Sequence, residues 1–134
     1  MNYLENTKAA LAEWQKVPVE NVSLRDWRCG TLACFGGHLP TFDHFHALGV
    51  RASSCGAPWV PASLRTDGGA FPTYEEDEGC IEGMGPVSEY LFGVLGMFAC
   101  RDAEPDDPIT DWEIVNQRLL KRLVELDTQR QGLL

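Results

Sequence analysis

Cys34 and His38 stand four positions apart, which places both on one face of a helix, with Cys29 just before them and His44 and His46 just after. Thiolate and imidazole donors suit tetrahedral zinc, so Cys29, Cys34 and His38 are the candidate metal ligands. Four residues separate Cys29 from Cys34 and the surroundings are apolar, unlike a zinc knuckle. A packed thiol and a core histidine account for the same residues without an ion. A cysteine at a helix start beside a histidine would also be a candidate nucleophile, because the positive helix end lowers a thiol's pKa. Cys34 is expected about one turn inside its helix, between Ala33 and Phe35, and no oxyanion donors can be located. The chain is therefore read as non-enzymatic.

Oxygen donors make a second pattern. From Asp102 to Glu113, side-chain oxygens fall at positions 1, 3, 5, 9, 10 and 12 of a twelve-residue window, the spacing of a calcium loop. Asp107 stands at position 6, where the sharp turn wants glycine, and Pro105 and Pro108 restrict the backbone. Acids gathered at the positive end of a capped helix explain the same residues. A third pattern is the pair Arg51 and Arg65 beside an aromatic, glycine-rich stretch, which could hold the phosphate or carboxylate of a small ligand such as a nucleotide.

The strongest pattern is electrostatic. The chain carries 11 basic and 20 acidic residues for a net charge of −9, and the acids are segregated. Residues 67–113 hold thirteen acids against Arg101 alone, whereas the flanking segments are slightly basic. Within that stretch, Glu75, Glu76, Asp77 and Glu78 form one run and Asp102, Glu104, Asp106 and Asp107 another. If these eight residues share a face, they form a surface that attracts a basic partner and speeds its encounter. Acidic loops that merely keep a small protein soluble are the plainer explanation. Direct binding to nucleic-acid phosphates is not expected at this charge balance. No cofactor is implied.

The elements that must position these residues are mostly helical. Leu4, Ala10, Leu11 and Trp14 give an amphipathic helix that ends before Pro18. Thr31 is expected to cap a short apolar helix through Leu32, Ala33, Phe35 and Leu39, weakened by Gly36 and Gly37. Phe42, Phe45 and Leu48 predict a further helix stopped by Gly49. Pro86 opens a helix expected over 87–98, with Tyr90, Leu91, Val94, Leu95 and Phe98 on one face. Thr110 to Glu113 reads as a capping box. Trp112, Val115, Leu119, Leu123 and Leu126 then form an apolar face, with Arg118, Lys121, Arg122 and Glu125 on the wet side. That face can pack internally or against a second copy.

Residues 50–85 differ. Glycines and prolines recur too often for a long helix, so an ordered loop is expected, anchored by Trp59, Val60, Phe71, Tyr74 and Ile81, with room for a short β-hairpin. A loop this long is usually functional or disordered. With 134 residues, 44% of them hydrophobic, the chain is expected to be one mainly α domain over 1–134: a compact bundle of four or five helices interrupted by the 50–85 insertion. No apolar run reaches the roughly 18 residues of a membrane span. The N-terminus lacks a signal-peptide stretch, so a cytoplasmic protein with reduced thiols is expected, five cysteines being too odd a number to pair fully.

The segment Trp27-Arg28-Cys29-Gly30-Thr31-Leu32-Ala33-Cys34-Phe35-Gly36-Gly37-His38 resembles the Cys-Gly-Thr-x-Ala-Cys-x-x-Gly signature of small, functionally uncharacterised bacteriophage and prophage proteins. Ala47-Leu48-Gly49, Tyr90-Leu91-Phe92-Gly93 and Gln117-Arg118-Leu119-Leu120 match that family's looser features. The resemblance implies ancestry and no activity, and it transfers no catalytic residue. With the acidic stretch, it leads to the expectation of a phage-borne interaction protein that binds and blocks a basic, perhaps nucleic-acid-binding, host protein in the host cytoplasm. The competing expectation is a small-ligand or metal-binding module.

Overall fold

The computed structural model describes residues 2–22, 34–54, 56–73, 79–82, 84–98 and 108–132. Its architecture is mainly α with a small three-stranded antiparallel sheet. Helix α1 spans Tyr3–Trp14, and the Asn2 side chain caps it by accepting a hydrogen bond from the Glu5 amide at 3.0 Å. Ala10 and Trp14 are fully buried from its apolar stripe. A 3₁₀ turn at Val19–Asn21 follows Pro18.

The central apolar helix is shorter than its composition suggests. α2 covers Phe35–His38 and runs on into a 3₁₀ turn at Leu39–Thr41. Cys34 is its N-cap residue rather than a position one turn inside, and the expected cap Thr31 lies outside the described residues. α3, Asp43–Ala47, ends at Gly49, whose φ of +94° is open to glycine and strained for any other residue. The 3₁₀ turn Ala62–Leu64 presses on that glycine: a Cβ there would lie 2.2 Å from the Leu64 carbonyl oxygen.

Between α3 and the next helix the chain builds strands β1 (Arg51–Ala52), β2 (Pro58–Val60) and β3 (Ile81–Glu82), in the order β1-β2-β3. Arg51 pairs with Trp59, and Trp59 in turn with Glu82. The expected hairpin is β1–β2, and the third strand comes from a segment expected to be loop. Of the expected anchors, Val60 and Ile81 are fully buried, Trp59 and Phe71 are half-buried, and Tyr74 lies outside the described residues.

α4 runs Met84–Phe92, shorter than the apolar repeat over 87–98. Gly93 ends it with a positive φ (+76°), and the site has no room for a side chain: a Cβ there would come within 2.8 Å of Arg122 Nη2 and 2.9 Å of the Tyr3 ring. Leu95 is therefore 63% exposed instead of lining the core, while Met97 and Phe98 return to it in non-helical chain. α5 spans Pro108–Gly132. It begins two residues before the expected cap, so Thr110 sits in the first helical turn; proline is well suited to open a helix.

Phe35 is at the centre of the core. Its ring lies 5.5 Å from those of Trp14 and Phe98 and 5.9 Å from that of Phe92, which also meets Phe45 at 5.7 Å. Val115 and Leu119 close the core from α5, so the inner part of that helix's apolar face is used within the molecule. Polar bonds tie the helices at defined points. Trp14 Nε1 donates to the Trp112 carbonyl at 3.1 Å, joining α1 to α5. Asn6 Nδ2 donates to the Leu91 carbonyl at 2.8 Å, joining α1 to α4. Arg122, expected on the wet face, is only 6% exposed, and its Nε donates to the Phe92 carbonyl at 2.8 Å. Carbonyls in the last turn of a helix have no partner within it, and a buried guanidinium from a neighbouring helix supplies one.

Candidate functional site

The residues that organise the site are Arg65 and Asp67, at the turn Arg65-Thr66-Asp67-Gly68-Gly69. Gly68 and Gly69 both have positive φ, and the Asp67 carboxylate folds the turn by accepting from the amides of Gly69 (3.2 Å) and Phe71 (2.7 Å). Arg65 meets that carboxylate in a two-point ion pair, Nε to Oδ1 at 2.9 Å and Nη2 to Oδ2 at 2.5 Å, with both side chains under 10% exposed. Such fork-on-fork geometry is the strong form of an ion pair. The Arg65 guanidinium and the two backbone donors hold the Asp67 carboxyl far below the usual carboxylate range.

Arg65 has donors to spare, and it spends them on two backbone carbonyls, Phe71 at 2.7 Å and Gly79 at 3.0 Å. These carbonyls bracket residues 72–78 in the chain. One buried guanidinium thus pins both ends of the segment that carries Glu75, Glu76, Asp77 and Glu78. The Phe71 ring, edge-on to Tyr90 at 5.6 Å, fastens the same corner to α4.

Beside this clamp is a cavity of about 300 Å³. Its apolar wall is Phe71, Pro72, Ile81, Pro86 and Leu95. Glu82 from β3 and Glu89 from α4, both exposed, are also lining residues, and no lysine, arginine or histidine is among the described lining residues. Thr73 and Cys80, which flank the acidic run closely in the chain, line it too. A smaller hollow of about 190 Å³ lies against Tyr3, Asp67 and Tyr90.

Comparison with protein-family models, curated proteins and solved structures found no match.

The eight acids expected to bind a partner, Glu75, Glu76, Asp77, Glu78, Asp102, Glu104, Asp106 and Asp107, all lie outside the described residues. The remaining five acids of the 67–113 stretch divide. Asp67 is committed to Arg65 and Asp111 is buried, whereas Glu82, Glu89 and Glu113 are exposed. Glu82 and Glu89 both line the cavity, although seven positions and two different elements separate them in the chain.

The anion-binding expectation for Arg51 and Arg65 is corrected. Arg65 is engaged by the chain's own Asp67, and Arg51 Nη1 donates to the carbonyls of His46 (2.8 Å) and Val50 (2.9 Å). Both are used to hold the backbone. Of the zinc candidates, Cys29 is outside the described residues; Cys34 and His38 are buried, and His38 Nε2 lies 2.8 Å from the Asn21 carbonyl with its ring against Trp14. A nitrogen that donates to a carbonyl has no lone pair for a metal. Among the described residues, no three metal-type side chains come together. The calcium window also departs from its requirement, because its second half is already helix from Pro108. The position 7 carbonyl, which must face the ion, belongs there to the helical hydrogen-bond ladder.

Sequence pattern singled out Arg65 for a different role and missed its partner Asp67. The signal was present as Asp-Gly-Gly, a turn motif, with an arginine two positions before it.

Proposed function

We propose that the chain is a non-enzymatic interaction protein whose acidic segment engages and blocks a basic partner protein. The signature at 27–38 suggests a phage-borne protein and therefore a host partner met in the host cytoplasm, with the helical bundle as scaffold. The observation that carries the reading is the Arg65 clamp. A buried ion pair has a large desolvation cost, and here it anchors the ends of the most acidic run in the sequence. Fixing the residues on either side of a charged segment limits the backbone entropy lost when a partner binds it. Exposed Glu82 and Glu89 beside the clamp extend the negative field. The basic surface of a nucleic-acid-binding protein has the complementary charge, and covering it would exclude its own ligand.

The test is affinity capture from host lysate with the wild type and with a variant bearing Glu75→Gln, Glu76→Gln, Asp77→Asn and Glu78→Gln. A basic protein should be held by the wild type at low salt and lost by the variant, whose melting temperature stays within a few degrees. Equal recovery of the same protein by both would refute the reading.

A further inference from the structure

We propose that the cavity between β3, α4 and the Phe71 corner is the seat of an arginine side chain presented by the basic partner. The inference rests on the reading above and goes beyond it, because it names the side chain recognised and the residues that recognise it. The cavity's composition is the argument. Phe71, Pro72, Ile81 and Leu95 form an apolar wall, and the acidic residues Glu82 and Glu89 line it from different elements. An acid-rimmed apolar cavity of about 300 Å³ is at the small end of ligand sites, the scale of one inserted side chain. An anion would be repelled by the carboxylates, and a purely apolar group would leave their charge unanswered. A long cationic side chain satisfies both features: its methylene stem lies on the apolar wall and its head reaches the carboxylates.

Arginine fits better than lysine. Its planar guanidinium stacks on aromatic and prolyl surfaces, forks onto carboxylates, and is less strongly hydrated than an ammonium. The clamp arginine at the edge of the site does not oppose this, since Asp67 already neutralises Arg65. Leu95, left 63% exposed when Gly93 ends α4, becomes the covering wall of the occupied cavity.

The test uses the full chain with methyl-labelled Ile and Leu, titrated with hexa-arginine, hexa-lysine and hexa-citrulline peptides. Hexa-arginine should shift the Ile81 and Leu95 methyl resonances, hexa-lysine should do so more weakly, and hexa-citrulline should leave them unmoved. The double variant Glu82→Gln, Glu89→Gln, altered at exposed positions only, should lose those shifts and bind hexa-arginine about fivefold more weakly. If hexa-arginine binds and the neutralised 75–78 variant loses it, while the double variant keeps full affinity and the methyls stay still, the cavity assignment fails and the acidic-segment reading survives. Equal response to arginine and lysine overturns the choice of arginine. No binding of any cationic peptide overturns both.

Discussion

Asp67 sits where one carboxylate answers four donors: two from Arg65 and the amides of Gly69 and Phe71. Removing either partner of this part-buried ion pair leaves the other's hydrogen-bonding groups unanswered, which costs about 1–3 kcal/mol. Arg65→Met and Asp67→Asn should each lower the urea midpoint, and Arg65→Met should also free the Phe71 and Gly79 carbonyls. The pH dependence follows from direction alone. Asp67 titrates lower in the folded chain than in the unfolded one. Its stabilising contribution is therefore complete above the ordinary carboxylate pKa of about 4 and declines as the pH falls further. The stability gap between wild type and Asp67→Asn should be widest at pH 7 and narrower at pH 3. Urea titrations at the two pH values measure it, and a constant gap would contradict the ion pair.

At the scale of elements, glycines and one arginine decide where helices stop. Gly49 and Gly68 both have positive φ, yet a Cβ at Gly49 would strike the Leu64 carbonyl while one at Gly68 would meet nothing within 4 Å. Gly68→Ala should thus cost about 1–2 kcal/mol of backbone strain, and Gly49→Ala distinctly more. Chemical denaturation of the pair checks it, and equal losses would mean that the 3₁₀ turn at 62–64 does not press on α3. Arg122→Ala should cost about 1.5–3 kcal/mol through the lost bond to the Phe92 carbonyl, more than an exposed surface arginine is worth. These residues also mark how much was legible in advance. α1, α3 and the inner face of α5 follow from apolar spacing, because one buried stripe repeats every three or four residues. The end of α4 does not, because Leu95 and Phe98 continue the apolar repeat while Gly93, at positive φ in a spot that Tyr3 and Arg122 leave too tight for a Cβ, breaks it. Arg122 reads as a surface cation until the helix it caps is in place. The strands, two or three residues each, are too short to show a period. The acidic runs stand out in the sequence; the Arg65 clamp depends on a contact to Gly79 that no local pattern carries.

For the whole molecule, the account is electrostatic. Thirteen of the twenty acids fall within 67–113, so the charge proposed to attract a partner is concentrated in one part of the chain. Within it, Asp111 is buried and Asp67 is paired with Arg65 and holds the frame; Glu82 and Glu89 remain exposed. Long-range attraction of this kind is screened over about 8–10 Å at physiological salt, so affinity must weaken as salt rises. Charge alone would give any acidic protein some affinity for a polycation, which calls for a control of equal charge. Glu5, Glu20, Glu125 and Asp127 are exposed and lie outside the stretch, so neutralising them removes the same four charges. The most direct measurement is the dissociation constant of hexa-arginine as a function of salt for the wild type, this control, and the variant neutralised at Glu75, Glu76, Asp77 and Glu78. The account predicts that the control keeps most of the wild-type affinity and salt slope while the 75–78 variant loses both; identical losses in the two variants would contradict it.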